Sequence, residues 1–238
     1  MGTYDPVEEV DFVEREMDQW LAGIVSRNWE GVERKSRSPD FDIDEALTDL
    51  LTGFGATVAD VAASLRDLNY PEDPIQWTDA DRAGLAEEIR ARTKPLVFVA
   101  NRADVTPPGN LDRLRGTDNL VVPATADGEL GLRTAAEAGV VDYDPGDPDF
   151  EITGDVTDAQ REGLNRIREV MTEHGGTGVQ AAIDYAVYDL LDRITVFPVQ
   201  NETKWTDGTG TVLPDAVLLP RGSTPPDLAY AIHTDIGE

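Results

Sequence analysis

Asn101, Arg102 and Asp104 close a short apolar run, Leu96-Val97-Phe98-Val99-Ala100, that Lys94-Pro95 opens. The run has no polar alternation, which predicts a strand buried on both faces of a parallel sheet. Its carboxyl end is where open α/β sheets bind ligands. An ionised aspartate is acceptor-only and takes two parallel N–H donors at once. Asp104 therefore suits a planar ring with two adjacent donors on one edge. Asn101 could bond the same ring or tie neighbouring loops together, and the Arg102 stem could lie across its face. A second apolar run, Leu120-Val121-Val122, predicts another buried strand, which ends in Pro123-Ala124-Thr125-Ala126-Asp127. The bland reading stands beside this one, because Asn and Asp are ordinary turn residues after a strand.

Composition narrows the chemistry. The 238 residues are 40% hydrophobic, enough for a core. There is no cysteine, which excludes disulfides and thiolate chemistry, and His174 and His233 are the only histidines, which excludes a multi-histidine metal site. No apolar run has the length of a membrane span, and no signal peptide precedes the acidic start, so a soluble, cytoplasmic protein is expected. Forty-seven acidic residues oppose 20 basic ones, for a net charge of −27, and Lys35, Lys94 and Lys204 are the only lysines. The acid is spread along the chain rather than gathered in one block. That pattern suits the salt-rich cytoplasm of a halophilic archaeon, where ions screen the self-repulsion.

The remaining elements must position those residues. Val7, Val10, Val13, Met17, Trp20, Leu21, Ile24 and Val25 repeat at helical spacing, with Asp5-Pro6 as the start. Trp20 and Trp29 read as core or interface anchors. Ile43 to Leu51 and Val58 to Leu65 mark two helices separated by Gly53 and Gly55, and Thr78 or Asp79 caps a helix to Arg92. Leu111 and Leu114 mark a short helical piece, and Gly131 to Gly139 another. Asp142 to Asp149 reads as a solvated acidic loop whose spacing fails the EF-hand pattern. Helices are predicted at Asp158–His174 and Val179–Leu191, with Gly175-Gly176-Thr177-Gly178 as a tight turn rather than a phosphate cradle. Ile194 to Val199 and Ala216 to Leu219 read as paired strands around a turn at Asp207–Gly210. Ser223 or Thr224, followed by Pro225, opens a last helix bearing Leu228, Ala229 and Ile232.

Asn101-Arg102-Ala103-Asp104 resembles the guanine-recognition motif Asn-Lys-x-Asp of P-loop GTPases, with arginine where lysine is usual. Thr125-Ala126-Asp127 lies where those proteins carry Ser-Ala-Lys, whose backbone N–H meets the guanine carbonyl. The final segment, LLPRGSTPPDLAYAIHTDIGE, resembles the opening half of a TGS domain, a β-grasp module. In this order, the elements resemble the archaeal YchF-type branch of Obg-related GTPases from about Asp5 to Glu238. The resemblance implies an α/β fold: part of a P-loop GTPase-type parallel sheet with a helical insertion, plus an incomplete β-grasp (TGS) segment. It divides the chain into a partial GTPase domain (1–36 and 78–141), the insertion (37–77), a helical segment (142–193) and the partial TGS domain (194–238). It also implies a guanine-base site of Asn101, Arg102, Asp104, Thr125 and Ala126, with Asp104 favouring GTP over ATP.

The phosphate-binding motif G-x-x-x-x-G-K-[ST] does not occur in these residues. Lys94 is followed by proline, Lys204 by tryptophan, and Lys35 follows Arg34 where glycine is required. The magnesium ligands and switch segments of the family are expected before Met1, so the chain reads as an interior piece of a longer GTPase. No catalytic or metal-ligating residue is assigned within it, and the chain alone is expected to be inactive. The resemblance implies guanine nucleotide as ligand, with magnesium in the parent, and the ribosome or RNA as partner of the parent. Two other readings stay open: a nucleotide-independent ribosome, RNA or protein interaction module, and a decayed reading frame.

Overall fold

The computed structural model describes residues 5–233 and divides into two compact units. Of the described residues, the first comprises 5–98 and 108–120, the second 99–107 and 121–233. The architecture is α/β with a parallel sheet.

The first unit is helical. α1 (Pro6–Lys35) begins where Asp5 accepts the Val7 amide and Pro6 takes the first helical position, which has no amide to satisfy. α2 (Ile43–Leu51) is capped by Asp42, and α3 (Val58–Leu68) and α4 (Asp79–Thr93) open on capping boxes at Thr57 and Thr78. Leu21, Val25, Trp29 and Val32 of α1 share one core with Leu47 and Leu51 of α2, Val61 of α3, and Leu85 and Ile89 of α4. Arg90 of α4 donates to Asp18 of α1 at 2.6 Å, which pairs a nearly buried cation across that helix contact. Trp29 is a core anchor as its spacing implied, and its indole N–H donates to the Pro74 carbonyl at 3.3 Å. Trp20 is not in the core. It is 57% exposed and leans on Phe54 at 5.7 Å, because the apolar stripe of α1 is wider than the face that α2 and α4 cover. No single helix among the described residues is long and apolar enough to cross a membrane. The bent pair Ile43–Phe54 and Val58–Leu68 is apolar enough in combined length and composition, but its Leu47, Leu51 and Val61 belong to this core.

α5 (Asn110–Arg115) completes the first unit, and β1 (Val97–Asn101) and β2 (Leu120–Ala124) are hydrogen-bonded neighbours. β2 buries Val122 and Ala124, but β1 departs from the expected strand buried on both faces. Val99 is 47% exposed, because β1 has a strand on one side only among the described residues.

In the second unit, α6 (Ala126–Glu137) starts well before Gly131, since Thr125 already caps it by accepting the Gly128 amide. The acidic loop is bracketed by two short strands, β3 (Val141–Asp142) and β4 (Glu151–Ile152), paired antiparallel. Its aromatic ends, Tyr143 and Phe150, are buried with Leu132, Leu164 and Met171, so only the middle of the loop is solvated. α7 (Asp158–His174) has the bounds its periodicity predicts, opening on a Thr157–Gln160 capping box and ending at Gly175 with φ +82°. α8 (Val179–Asp184) widens into a π-helical turn over Tyr185–Leu190. β5 (Arg193–Val196) and β6 (Val217–Pro220) pair antiparallel from Arg193↔Pro220 to Val196↔Val217. Asp207–Gly210 is not the turn between them. It folds on itself within the connection, Asp207 accepting the amides of Thr209 and Thr211, and Thr206 bridges Asn201 and Val212. α9 (Pro225–Ile232) opens on a Thr224–Asp227 capping box. The final five residues of the expected TGS segment lie outside the described residues.

Candidate functional site

Two strand ends meet at Asn101. Its Oδ1 accepts the Arg102 amide at 2.8 Å and the Ala126 amide at 3.1 Å. One short side chain thereby joins the end of β1 to the start of α6, which follows β2. Of the two roles open to Asn101, tying loops together is the one this geometry displays. The bond has a consequence for a bound base: a carbonyl approaching the Ala126 amide must share it with Asn101 or displace it.

Arg102 occupies the left-handed region, φ +65° and ψ +39°, uncommon for a residue with a β-carbon. This turns the backbone sharply from β1 into a short 3₁₀ turn, Ala103–Val105, that packs against α7. Asp104 sits in that turn and is exposed, as are Asn101, Arg102 and Ala126. Thr125 is 3% exposed, and its hydroxyl serves as the α6 cap, so this residue contributes backbone and position rather than a contact of its own side chain. The structure therefore gathers Asn101, Arg102, Thr125 and Ala126 around one bond network, with Asp104 on the adjoining turn.

Behind this edge lies a polar cluster that periodicity did not expose. Of the five buried polar or charged residues among the described residues, three (Thr125, Glu129 and Thr177) belong to it, so the polar interior concentrates beneath this edge. Glu129 Oε2 accepts the hydroxyls of Tyr143 and Thr177, each at 2.6 Å, and Oε1 accepts Arg133 Nε at 2.6 Å. Burial pushes the Glu129 carboxyl up, but the bonds from Thr177, Tyr143 and Arg133 outweigh it and hold it below the usual range. Burial, then the bond to that carboxylate, raises the Tyr143 phenol. The Thr177 carbonyl in turn accepts the Thr125 amide at 2.8 Å. The glycine run 175–178, read as a helix–helix turn, thus also docks on the end of β2. A signal for Glu129 was present: it is a carboxylate on the buried stripe of α6, beside Gly128 and Leu132.

No group of three or more His, Cys, Asp or Glu side chains among the described residues is placed to hold a metal ion.

Residues 99–201 match the family described as Obg-like GTPase YGR210-like, G4 motif-containing domain, and residues 209–238 match the TGS domain. The chain is 40% identical over 240 residues to an uncharacterized GTP-binding protein of Methanocaldococcus jannaschii, covering 99% of this chain and 60% of that protein. A 26% identical relative, an uncharacterized GTP-binding protein of Schizosaccharomyces pombe, matches 93% of this chain and 57% of its own length. The crystal structure of a GTP binding protein from Pyrococcus horikoshii OT3 superposes with a TM-score of 0.75 at 37% identity. That match covers the whole chain and 64% of the Pyrococcus protein. The chain is homologous to these archaeal proteins and spans about 60% of their length.

Proposed function

We propose that this chain supplies the base-reading part of a guanine-nucleotide site in a YchF-type, Obg-related GTPase. The observation that carries the reading is Asn101 Oδ1 accepting both the Arg102 and the Ala126 amides, at 2.8 and 3.1 Å. It holds the Asp104 turn and the Thr125-Ala126 turn at one edge, as recognition of a single small ring requires. Asp104 accepts the paired N–H donors of guanine, a pair that adenine lacks. The Ala126 amide meets the guanine carbonyl once Asn101 shares or yields it. Arg102 lays its aliphatic stem along the ring. The matched domain, whose description names the G4 motif, and relatives named as GTP-binding proteins support this assignment.

Nothing in these 238 residues supplies the glycine-rich phosphate loop with its Lys-Ser/Thr pair. Phosphate and magnesium contacts provide most of the positioning and charge stabilisation in phosphoryl transfer. The chain by itself is therefore a weak nucleotide binder that does not turn GTP over. For the whole protein we propose a cytoplasmic role in translation, on the strength of the TGS match. The part that this chain contributes meets a protein rather than bare RNA, because its own net charge of −27 repels phosphate.

Calorimetric titration of GDP and ADP into the chain in concentrated KCl tests the assignment, with Asp104→Ala alongside. GDP-selective heat that disappears in the variant is the expected result. No heat from either nucleotide, with a cooperatively folded sample, overturns it and leaves the interaction-module reading in front.

A further inference from the structure

We propose that Glu129 is a positioning residue for the base-reading turn, acting through Thr177 on the backbone of Thr125 and Ala126. The proposal deepens the guanine-site reading and, for its effect on nucleotide, rests on it.

A carboxylate only 4% exposed is costly unless both oxygens are satisfied. Here both are. Arg133 takes one oxygen and the hydroxyls of Tyr143 and Thr177 take the other, all at 2.6 Å. These donors come from α6 itself, from the residue after β3, and from the glycine run before α8. Glu129 thus gathers three segments at one point, and one of them reaches back to the site. Thr177 is held by its side chain to Glu129, and its carbonyl accepts the Thr125 amide at 2.8 Å. The Ala126 amide, which points at Asn101, shares its planar peptide with the Thr125 carbonyl, and that carbonyl accepts the Glu129 amide at 3.0 Å.

The approach is too close to be incidental. Gly178, at φ +82°, lies so near β2 that a β-carbon on it would stand 1.9 Å from the Pro123 carbonyl oxygen. The turn carrying Thr177 is pressed against the strand end at the residues that lead into Thr125-Ala126. Releasing the Thr177 hydroxyl frees the carbonyl that steadies Thr125, and the Ala126 amide then loses its fixed direction. A hydrogen bond made to a point with scattered direction is weak, because its strength falls steeply with angle.

The test uses the full chain in concentrated KCl, as wild type, Thr177→Val, Thr177→Ser and Glu129→Gln. Two properties are measured: amide hydrogen exchange by NMR, and binding of GDP and ADP by calorimetry. Thr177→Val keeps the shape and removes the donor, and Thr177→Ser keeps the donor. We expect Thr177→Val and Glu129→Gln to speed exchange at Thr125 and Ala126 by about tenfold or more, the weight of one charge-assisted hydrogen bond. Exchange in α1 to α4 stays as in wild type. GDP affinity falls by a similar factor, ADP affinity is unchanged, and Thr177→Ser behaves as wild type. Wild-type protection of Thr125 and Ala126 in Thr177→Val overturns the proposal and reduces the cluster to packing. If Thr177→Val does not fold, Tyr143→Phe weakens the grip on Glu129 by one bond and must raise the same two exchange rates. Failure of wild type to take up GDP sinks the guanine assignment instead, and the exchange rates still decide the positioning role.

Discussion

Gly178 lies against Pro123 so closely that a β-carbon on the glycine would stand 1.9 Å from the proline carbonyl oxygen and 2.8 Å from the Ala124 α-carbon. Its φ of +82° adds a second reason for glycine at this position. Gly178→Ala should therefore cost about 3 kcal/mol or more, from backbone strain and overpacking together. Gly163, within α7 with nothing near its would-be β-carbon, is the control. Gly163→Ala should gain about 0.5–1 kcal/mol. Urea midpoints for the two variants should move in opposite directions.

Asn101 and Asp104 should separate structure from recognition. Asn101→Ala removes the acceptor for two backbone amides and should cost about 1–2 kcal/mol, with faster exchange at Arg102 and Ala126. Asp104→Ala changes an exposed side chain and should alter stability by less than about 0.5 kcal/mol. The same Asp104 variant should abolish GDP-selective binding. Denaturation curves and calorimetry on both variants give the four numbers needed.

Acid should act on Glu129 in one direction. The folded protein holds its carboxyl below the ordinary value of 4.5. A depressed carboxyl contributes stability that is fully present above pH 4.5 and lost as pH falls through the folded-state value. Many other carboxylates titrate in that window, so the comparison is with Glu129→Gln. The stability difference between wild type and variant should be constant above pH 5 and shrink steadily below about pH 4.5. A difference that grows on acidification would contradict the hydrogen-bonded carboxylate.

Salt should stabilise the fold. Forty-seven acidic against 20 basic residues leave a net charge of −27, which repels itself at low ionic strength. Raising KCl from 0.1 to 1 M shortens the screening length from about 10 to about 3 Å and should raise Tm, with most of the gain below 1 M. Thermal melts across KCl and NaCl series measure this. Equal gains with both salts identify screening as the cause.

Most helix boundaries were legible in the sequence because their causes are local, though the Thr125 cap that starts α6 five residues before Gly131 was missed. The Asp5 cap with Pro6, the Thr78–Asp81 and Thr157–Gln160 boxes and the Thr224–Asp227 box each act within four residues. So were the two strand ends bearing Asn101, Asp104, Thr125 and Ala126, since turn residues follow each apolar run directly. Tertiary structure alone decided what those residues do to one another. Asn101 meets Ala126 across 25 positions and Thr177 meets Glu129 across 48, pairings that no spacing rule anticipates. The bond from the Thr125 amide to the Thr177 carbonyl leaves no trace in side-chain types at all, because both partners are backbone. Burial followed the same division. Trp20 and Val99 belong to apolar patterns that predict interior positions, yet they are 57% and 47% exposed. A residue's hydrophobic period states which face it shares; only the neighbours brought by the fold decide whether that face is covered.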